Sequence, residues 1–221
     1  MQNLYTPAYY ESQREDIQTL IPLEAQRILD VGCGAGKLGQ SIKANRPVEV
    51  VGIELNPEAA KIAQQCLDRV LQGSIEASDL DLPASYFDVI IFADILEHLS
   101  DPWQVLSHFT TYLKPQGKIV ASIPNASFYL VPLNLLRGRW RYTDRGVLDK
   151  THLRFFTLET IQMLFAQAGL TIETMTRNCR LRDRDRRYSR LAQWLAIGPW
   201  AHLLTYQYRL VATRTNEYKP N

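Results

Sequence analysis

The stretch Arg27-Ile-Leu-Asp-Val-Gly-Cys-Gly-Ala-Gly-Lys-Leu-Gly39 decides the fold. Ile28, Leu29 and Val31 make a short buried strand, the glycines make a turn, and Lys37 begins a helix. Glycines at 32, 34 and 36 admit backbone angles that a side chain forbids and let a ligand approach the main chain. The helix that follows aims its first N–H groups at that ligand. A loop of this build holds a small, nucleotide-like molecule.

Two ligands compete for it. Gly34-Ala-Gly-Lys-Leu-Gly39 satisfies the G-x-G-x-x-G pattern of dinucleotide sites, and Glu54 stands where an acid would hold a ribose. That pattern should begin as the strand ends, yet Asp30-Val-Gly32-Cys33 intervenes. An ionised Asp30 in the turn repels a pyrophosphate and attracts a cation. S-adenosylmethionine carries an ammonium and a sulfonium and no phosphate, so it suits the loop better than NAD does.

On Leu29-Asp-Val-Gly-Cys-Gly-Ala-Gly36 and the landmarks after it, the chain resembles the class I S-adenosylmethionine-dependent methyltransferases. The resemblance implies an α/β, Rossmann-like, seven-stranded and mostly parallel sheet with helices on both faces. It also implies a cofactor site. Asp30, Gly32, Cys33, Gly34 and Gly36 would form the glycine loop, and Glu54, followed by Leu55, would take the ribose hydroxyls. Ser74 replaces the Asp that relatives use for the adenine amino group, Ile75 would pack on the adenine face, and Asp94 ends the fourth strand at the ligand-facing edge.

Composition sets the bounds. A chain of 221 residues is long enough for one α/β domain with a substantial core. The expected division is an N-terminal lid over 1–24, a cofactor-binding core over 25–123, a substrate-side insert over 124–157, and a C-terminal helix with strands six and seven over 158–221. Lys+Arg of 25 against Asp+Glu of 23 leaves a net charge of +2, with no global footprint for nucleic acid. Cysteines at 33, 66 and 179 make no C-x-x-C, which predicts a reducing cytoplasm without disulfides or structural zinc. No secretory leader is visible in Met1-Gln-Asn-Leu-Tyr5, and no apolar run is long enough to span a membrane.

In chain order, Tyr9, Tyr10 and Arg14 lead into an amphipathic helix that Pro22 ends. Helix is expected over Lys37–Asn45, and strands over 49–53, 69–72 and 87–94. Asn56-Pro57-Glu58 caps a helix whose inward face is expected to carry Ala59, Ile62, Ala63, Cys66 and Leu67. Asp101 caps another, with Trp103, Leu106, Phe109 and Leu113 on one face. Residues 114–117 read as a turn before a fifth strand over 118–123. Thr157 caps a helix stopped by Gly169, and strands are expected over 170–176 and 206–213. Alternating strands and helices call for a parallel doubly wound sheet with ligands at its carboxyl edge.

The candidate chemistry lies in Asp94-Ile-Leu-Glu97-His98 and, later, Thr151-His152. A hydroxyl acceptor must lose its proton, so a base or a metal should sit above the methyl group. The set is similar to the D/E-x-x-E-H and T-H pattern of ubiquinone-biosynthesis O-methyltransferases. A related E-x-x-E-H-and-His set in small-RNA 2′-O-methyltransferases binds a divalent metal; here Asp94 replaces its first Glu. Glu97, His98 and His152 therefore stand as catalytic base, as ligands to a divalent metal, or as helix-capping residues.

Gly138-Arg-Trp-Arg-Tyr142, Gly146-Val-Leu-Asp149 and residues 151–157 resemble the insert of bacterial methyltransferases associated with cell-surface glycan synthesis. Arginine beside an aromatic ring suits a sugar carrying phosphate; the plainer reading folds the insert on itself through pairs such as Arg145 and Asp149. The expected activity is O-methylation of a small-molecule or glycan-like hydroxyl. Alternatives are a quinone-type phenol, a nucleic-acid hydroxyl, or an idle cofactor-binding module serving a partner enzyme. Seven arginines between 177 and 190, followed by an apolar stretch with Trp194 and Trp200, read either as a lipid-interface segment or as packing against the sheet or a second subunit in a homodimer.

Overall fold

The computed structural model describes residues 13–77, 80–180, 198 and 200–215. Tyr9, Tyr10, Trp194 and most of the arginine run lie outside these residues. Seven strands form one sheet in the order β3-β2-β1-β4-β5-β7-β6. They are β1 (Arg27–Val31), β2 (Glu49–Glu54), β3 (Arg69–Gln72), β4 (Phe87–Ala93), β5 (Leu113–Pro124), β6 (Leu170–Cys179) and β7 (Thr205–Arg214). The first five run parallel, and β7 is antiparallel to both β5 and β6. The class I methyltransferase fold expected from the sequence is the one observed.

Alternation along the central strands divides the core. Leu29, Val31, Ile53, Ile90 and Phe92 face one layer, with α4 (Pro102–Phe109) and α5 (Leu158–Gln167) packed on it through Leu106, Phe109, Ile161, Leu164 and Phe165. Ile28, Val50, Val89, Ile91 and Val120 face the other, covered by α1 (Glu15–Gln18) and α2 (Lys37–Asn45) through Ile17, Leu38 and Ile42. Each such side chain contributes about 1.5–3 kcal/mol when fully withdrawn from water. The third helix, α3 (Pro57–Ala63), begins at Asn56, whose side chain accepts from the amides of Glu58 and Ala59.

Four sequence expectations are corrected. Ile62 is 49% exposed and Ala60 takes its place against the sheet, because α3 ends at Ala63 and Cys66 and Leu67 follow in a turn. Trp103 points outward at 38% exposure, while Val105 packs inward with Leu106 and Phe109. Leu113 is buried as the first residue of β5, not as part of the helix. Residues 114–117 belong to β5 as well: the strand starts early and shifts register against β4 between Phe87 and Val89.

The glycine turn is fixed by what lies beneath it. Gly32 and Cys33 both donate their amides to the Ile53 carbonyl, at 2.9 and 3.0 Å. Cys33 then rests on Gly52 of β2, where a Cβ would come within 2.5 Å of the Cys33 sulfur and 2.8 Å of Leu67. Gly36 adopts φ +75 as the N-cap of α2. The turn is thus locked onto the sheet with its open side toward the carboxyl edge.

Candidate active site

A cleft of about 870 Å³ runs along the carboxyl edge from the glycine turn to the ends of β6 and β7. Gly32, Cys33 and Gly34 line it, and Asp30 lies at its floor, 2% exposed. The Asp30 Oδ2 atom has no hydrogen-bond partner among the described residues. Burial drives the Asp30 carboxyl up to about 7, against the pull of Arg14 and with the push of Glu54. A buried acid left open toward a cleft matches an ammonium group, and S-adenosylmethionine brings one.

Glu54 works within the loop. Its Oε2 accepts the Gly34 amide at 2.8 Å and its Oε1 the Asn56 amide at 2.8 Å. These bonds place the carboxylate at the carboxyl end of β2. Leu55 beside it is 68% exposed. Exposed Ser74 accepts the Glu76 amide at 3.2 Å, and Ile75 lines a separate groove of about 320 Å³ with Val105 and His108. These four residues therefore sit at the ends of β2 and β3, beside the main cleft.

Asp94 follows β4 in a left-handed conformation at φ 57, which turns its side chain into the cleft. Arg14 donates to its Oδ2 at 2.5 Å, and Ser122 and Gln207 donate to its Oδ1 at 3.0 and 2.5 Å. Arg14 also donates to Asp16, at 3.1 Å, and Arg209 closes the network 3.5 Å from Asp16. Burial opposes the Arg14 charge, yet Asp94 and Asp16 outweigh it and hold the guanidinium above its ordinary pKa. In the sequence Arg14 stood only as part of the lid, and Ser122, Gln207 and Arg209 did not stand out. Their meeting depends on pairing β5 to β7 with Ser122 opposite Arg209, a contact across 87 residues that no local pattern encodes.

Beyond Asp94, a 3₁₀ turn over Leu96–His98 directs Glu97 and His98 at the insert. The insert is held to that turn by the amides of Leu153 and Arg154, both donating to the Glu97 carbonyl. Asn125 anchors its beginning, donating to the carbonyls of His202 and Thr205. Within the insert, Lys150 pairs with Asp144, and Asp149 accepts from Thr151, which accounts for a compact loop without a long helix. The sequence-separated residues meet as a result. The ligand atoms of Glu97, His98 and His152 all lie within 4.8 Å of one another, and the two imidazoles pack edge to face.

The tautomers follow from the backbone. His98 Nδ1 faces the Thr151 carbonyl at 3.2 Å and His152 Nδ1 faces the Val147 carbonyl at 3.0 Å. A carbonyl only accepts, so each Nδ1 carries the hydrogen and each neutral ring keeps a lone pair on Nε2. Burial lowers both histidine pKa values, His152 further through its neighbour His98. Glu97 is 1% exposed, its Oε1 lies 4.0 Å from His152 Nε2, and its Oε2 has no hydrogen-bond partner among the described residues. Burial, then repulsion from Asp94, pushes the Glu97 carboxyl well above its ordinary range. Asp94 is not among the converging ligand atoms, its oxygens being committed to Arg14, Ser122 and Gln207.

The sheet order, the glycine turn and a cleft at the carboxyl edge define the class I S-adenosylmethionine-dependent methyltransferase architecture. A family model described as a methyltransferase domain matches residues 8–175, and the chain belongs to that family. A ubiquinone biosynthesis O-methyltransferase of Cereibacter sphaeroides is 27% identical over 161 residues, 70% of this chain and 64% of that protein. Another ubiquinone biosynthesis O-methyltransferase, from Albidiferax ferrireducens, is 37% identical over 120 residues, 51% of this chain and 47% of that protein. The matched regions thus span about half to two thirds of these relatives' lengths. Among solved structures, an S-adenosylmethionine-dependent methyltransferase from Thermotoga maritima superposes with a TM-score of 0.66 at 20% identity, covering 93% of this chain and 89% of that one.

Proposed function

We propose that this protein transfers a methyl group from S-adenosylmethionine to a hydroxyl of a small-molecule or glycan-like acceptor. The observation that carries the O-methylation reading is the meeting of Glu97, His98 and His152 in the cleft lining, each imidazole held through Nδ1 by a backbone carbonyl so that its Nε2 keeps a lone pair. Asp30 takes the ammonium of the cofactor and Arg14 its carboxylate, the latter by exchanging part of the Asp94 contact. Bound S-adenosylmethionine supplies an electrophilic methyl: the oxygen–carbon bond forms as the carbon–sulfur bond breaks, and the electron pair stays on sulfur. Nε2 of His98 or His152 receives the hydroxyl proton, with Glu97 Oε1 4.0 Å from His152 Nε2. The insert, with Phe155 against both His152 and Trp140, shields that proton transfer from water.

A second reading is favoured by the orphaned Glu97 Oε2. Two imidazoles fixed through Nδ1 and a buried, unpartnered carboxyl are a donor set for a divalent cation, Glu97, His98 and His152 being its ligands. Such an ion would lower the pKa of the acceptor hydroxyl.

Tritiated S-adenosylmethionine, incubated with the protein and an extract of its source cell, should label a base-stable ether in one acceptor fraction. Label absent from every fraction, with the cofactor bound, would leave only the idle-module alternative.

The insert also supports contact with a membrane surface. Leu135, Leu136, Trp140, Tyr142 and Leu153 are exposed there, Leu136 at 86%, interleaved with exposed Arg137, Arg139 and Arg141. Apolar side chains beside cations suit an anionic lipid interface, and no helix among the described residues is long and apolar enough to cross a membrane. This reading puts the enzyme at the cytoplasmic leaflet, whose anionic lipids attract such cations. The intact protein should sediment with anionic vesicles, less so as salt rises, and a variant with Arg137, Arg139 and Arg141 changed to Ser should remain in solution. Equal sedimentation of both proteins would remove the insert from the interface.

A further inference from the structure

Two short segments, residues 97–100 after β4 and residues 151–154 in the insert, are joined side by side. The Glu97 carbonyl accepts the amides of Leu153 and Arg154, at 2.8 and 3.0 Å, and His98 Nδ1 donates to the Thr151 carbonyl at 3.2 Å. A further tie comes from a side chain. Arg154 donates Nε to the Ser100 carbonyl at 3.1 Å and reaches the same oxygen with Nη2. Glu97, His98 and His152 meet on the cleft side of this junction, while Arg154 and Ser100 are exposed on its outer side.

Both partners of that tie are themselves held. The Arg154 guanidinium lies 5.7 Å from the centre of the outward-facing Trp103 ring, and Trp103 packs against Phe156 at 6.5 Å. On the other side of Ser100, Glu76 Oε1 accepts the Ser100 and Asp101 amides at 3.0 and 3.2 Å and the Ser100 hydroxyl as well. Ser100 is thus clamped between the loop after β3 and the insert. The geometry explains why a clamp is needed. Two amides converging on the one Glu97 carbonyl make a pivot, and the His98–Thr151 bond runs through a ring whose own position is at stake. The grip on Ser100, three residues on from Glu97, supplies a second fixed point.

We propose that Arg154 is a positioning residue for methyl transfer: by gripping the Ser100 carbonyl it seats the insert on the Glu97–His98 turn and keeps His152 in register with His98. Arginine suits the task because two donors of one planar fork fix direction as well as distance, which an ammonium does not. The inference deepens the methyltransferase reading and rests on it for what the two rings do. It is the same for a directly acting base and for a divalent ion, since either chemistry needs the imidazoles, now 4.8 Å apart between centres, at a fixed separation.

The test follows the rings first and turnover second, on the whole chain saturated with S-adenosylhomocysteine. Proton NMR of the wild type should show a nuclear Overhauser cross-peak between the His98 and His152 rings. Arg154→Gln should weaken that cross-peak and change S-adenosylhomocysteine affinity less than about twofold. Turnover of the extract fraction that the wild type labels should drop about 10–100-fold, since a displacement of about 1 Å costs about 10²-fold. The KM for S-adenosylmethionine should stay where it is, whereas a mere structural brace would lower the melting temperature without separating kcat from KM. Arg154→Lys keeps one charged donor for the Ser100 carbonyl and should fall between wild type and Arg154→Gln in both readouts. Lys150→Gln, which breaks an ion pair with Asp144 wholly inside the insert, should leave the cross-peak in place. An undiminished cross-peak in Arg154→Gln, or full turnover despite its loss, would overturn the proposal. Equal loss of the cross-peak in Lys150→Gln, or no recovery in Arg154→Lys, would overturn it too. Should Arg154→Gln fail to fold, Glu76→Ala frees Ser100 from its other side and should weaken the same cross-peak; an unchanged one there would refute the clamp. Absence of methyl transfer by the wild type would instead strike at the methyltransferase reading, and the cross-peak would still decide whether Arg154 sets the rings.

Discussion

Replacing His98 or His152 by Ala should lower turnover about 10²–10⁴-fold and leave the affinity for S-adenosylmethionine within a factor of about two. The separation of the two effects follows from position. Both rings lie beyond Asp94, on the turn and the insert, and their Nδ1 atoms bond to the Thr151 and Val147 carbonyls, away from Asp30 and the glycine loop. Their Nδ1 bonds go to the insert backbone, so a loss of shape would appear there first. Glutamine at either position keeps polarity and approximate size but cannot take the proton as imidazole does, and it should be as inactive as alanine. Chelation separates the two chemistries. With a directly acting base, exhaustive chelation leaves the wild-type rate unchanged; with a divalent ion held by Glu97, His98 and His152, it abolishes the rate and added metal restores it. Full turnover in both single variants, with and without chelator, would reduce the cluster to a brace between turn and insert.

Much of this arrangement was legible in the sequence because the signals are local. A buried apolar strand, three glycines at alternating positions and a helix start lie within thirteen consecutive residues, Arg27 to Gly39. The helix over 37–45 and the strand over 69–72 fall where the pattern put them. The errors have two causes. Ile62 and Trp103 sit at helical spacing from core residues, but their helices are only seven and eight residues long, and short helices present a narrow face. Leu113 and residues 114–117 were misread because a strand that shifts register looks, in sequence, like a turn. His152 was legible as a residue type and not as a position. Its approach to Glu97 depends on the Glu97 carbonyl accepting two insert amides, a contact 56 residues away along the chain. Arg14 was harder still, since a left-handed arginine at φ 48, outside any regular element, gives no periodic signal.

Asp30 yields the other large effect, and here pH is the lever. Burial first, then the repulsion of Glu54, raises its carboxyl to about 7 despite the opposing pull of Arg14. In the ligand-free protein the group is therefore protonated below about 7 and ionised above it. In the proposed pairing with the ammonium of S-adenosylmethionine Asp30 is ionised, so binding below pH 7 should expel a proton. Affinity should fall about tenfold for each pH unit on the acid side, or about thirty-fold by pH 5.5. On the alkaline side it should decline again as the α-amino group of the ligand loses its own proton near about 8. Calorimetry at pH 6 in two buffers of different ionisation enthalpy should register close to one proton released. Asp30→Asn keeps the size and the hydrogen-bonding oxygen while removing the charge. It should weaken binding at pH 7.5 by about 1.5–3 kcal/mol, the range for hydrogen bonds to charged groups. It should also abolish the acid limb and the proton release. The second outcome is the stronger test, since a merely structural role for Asp30 would lower affinity without flattening its pH dependence. A variant that binds weakly but still releases a proton at pH 6 would place the titrating group elsewhere in the cleft.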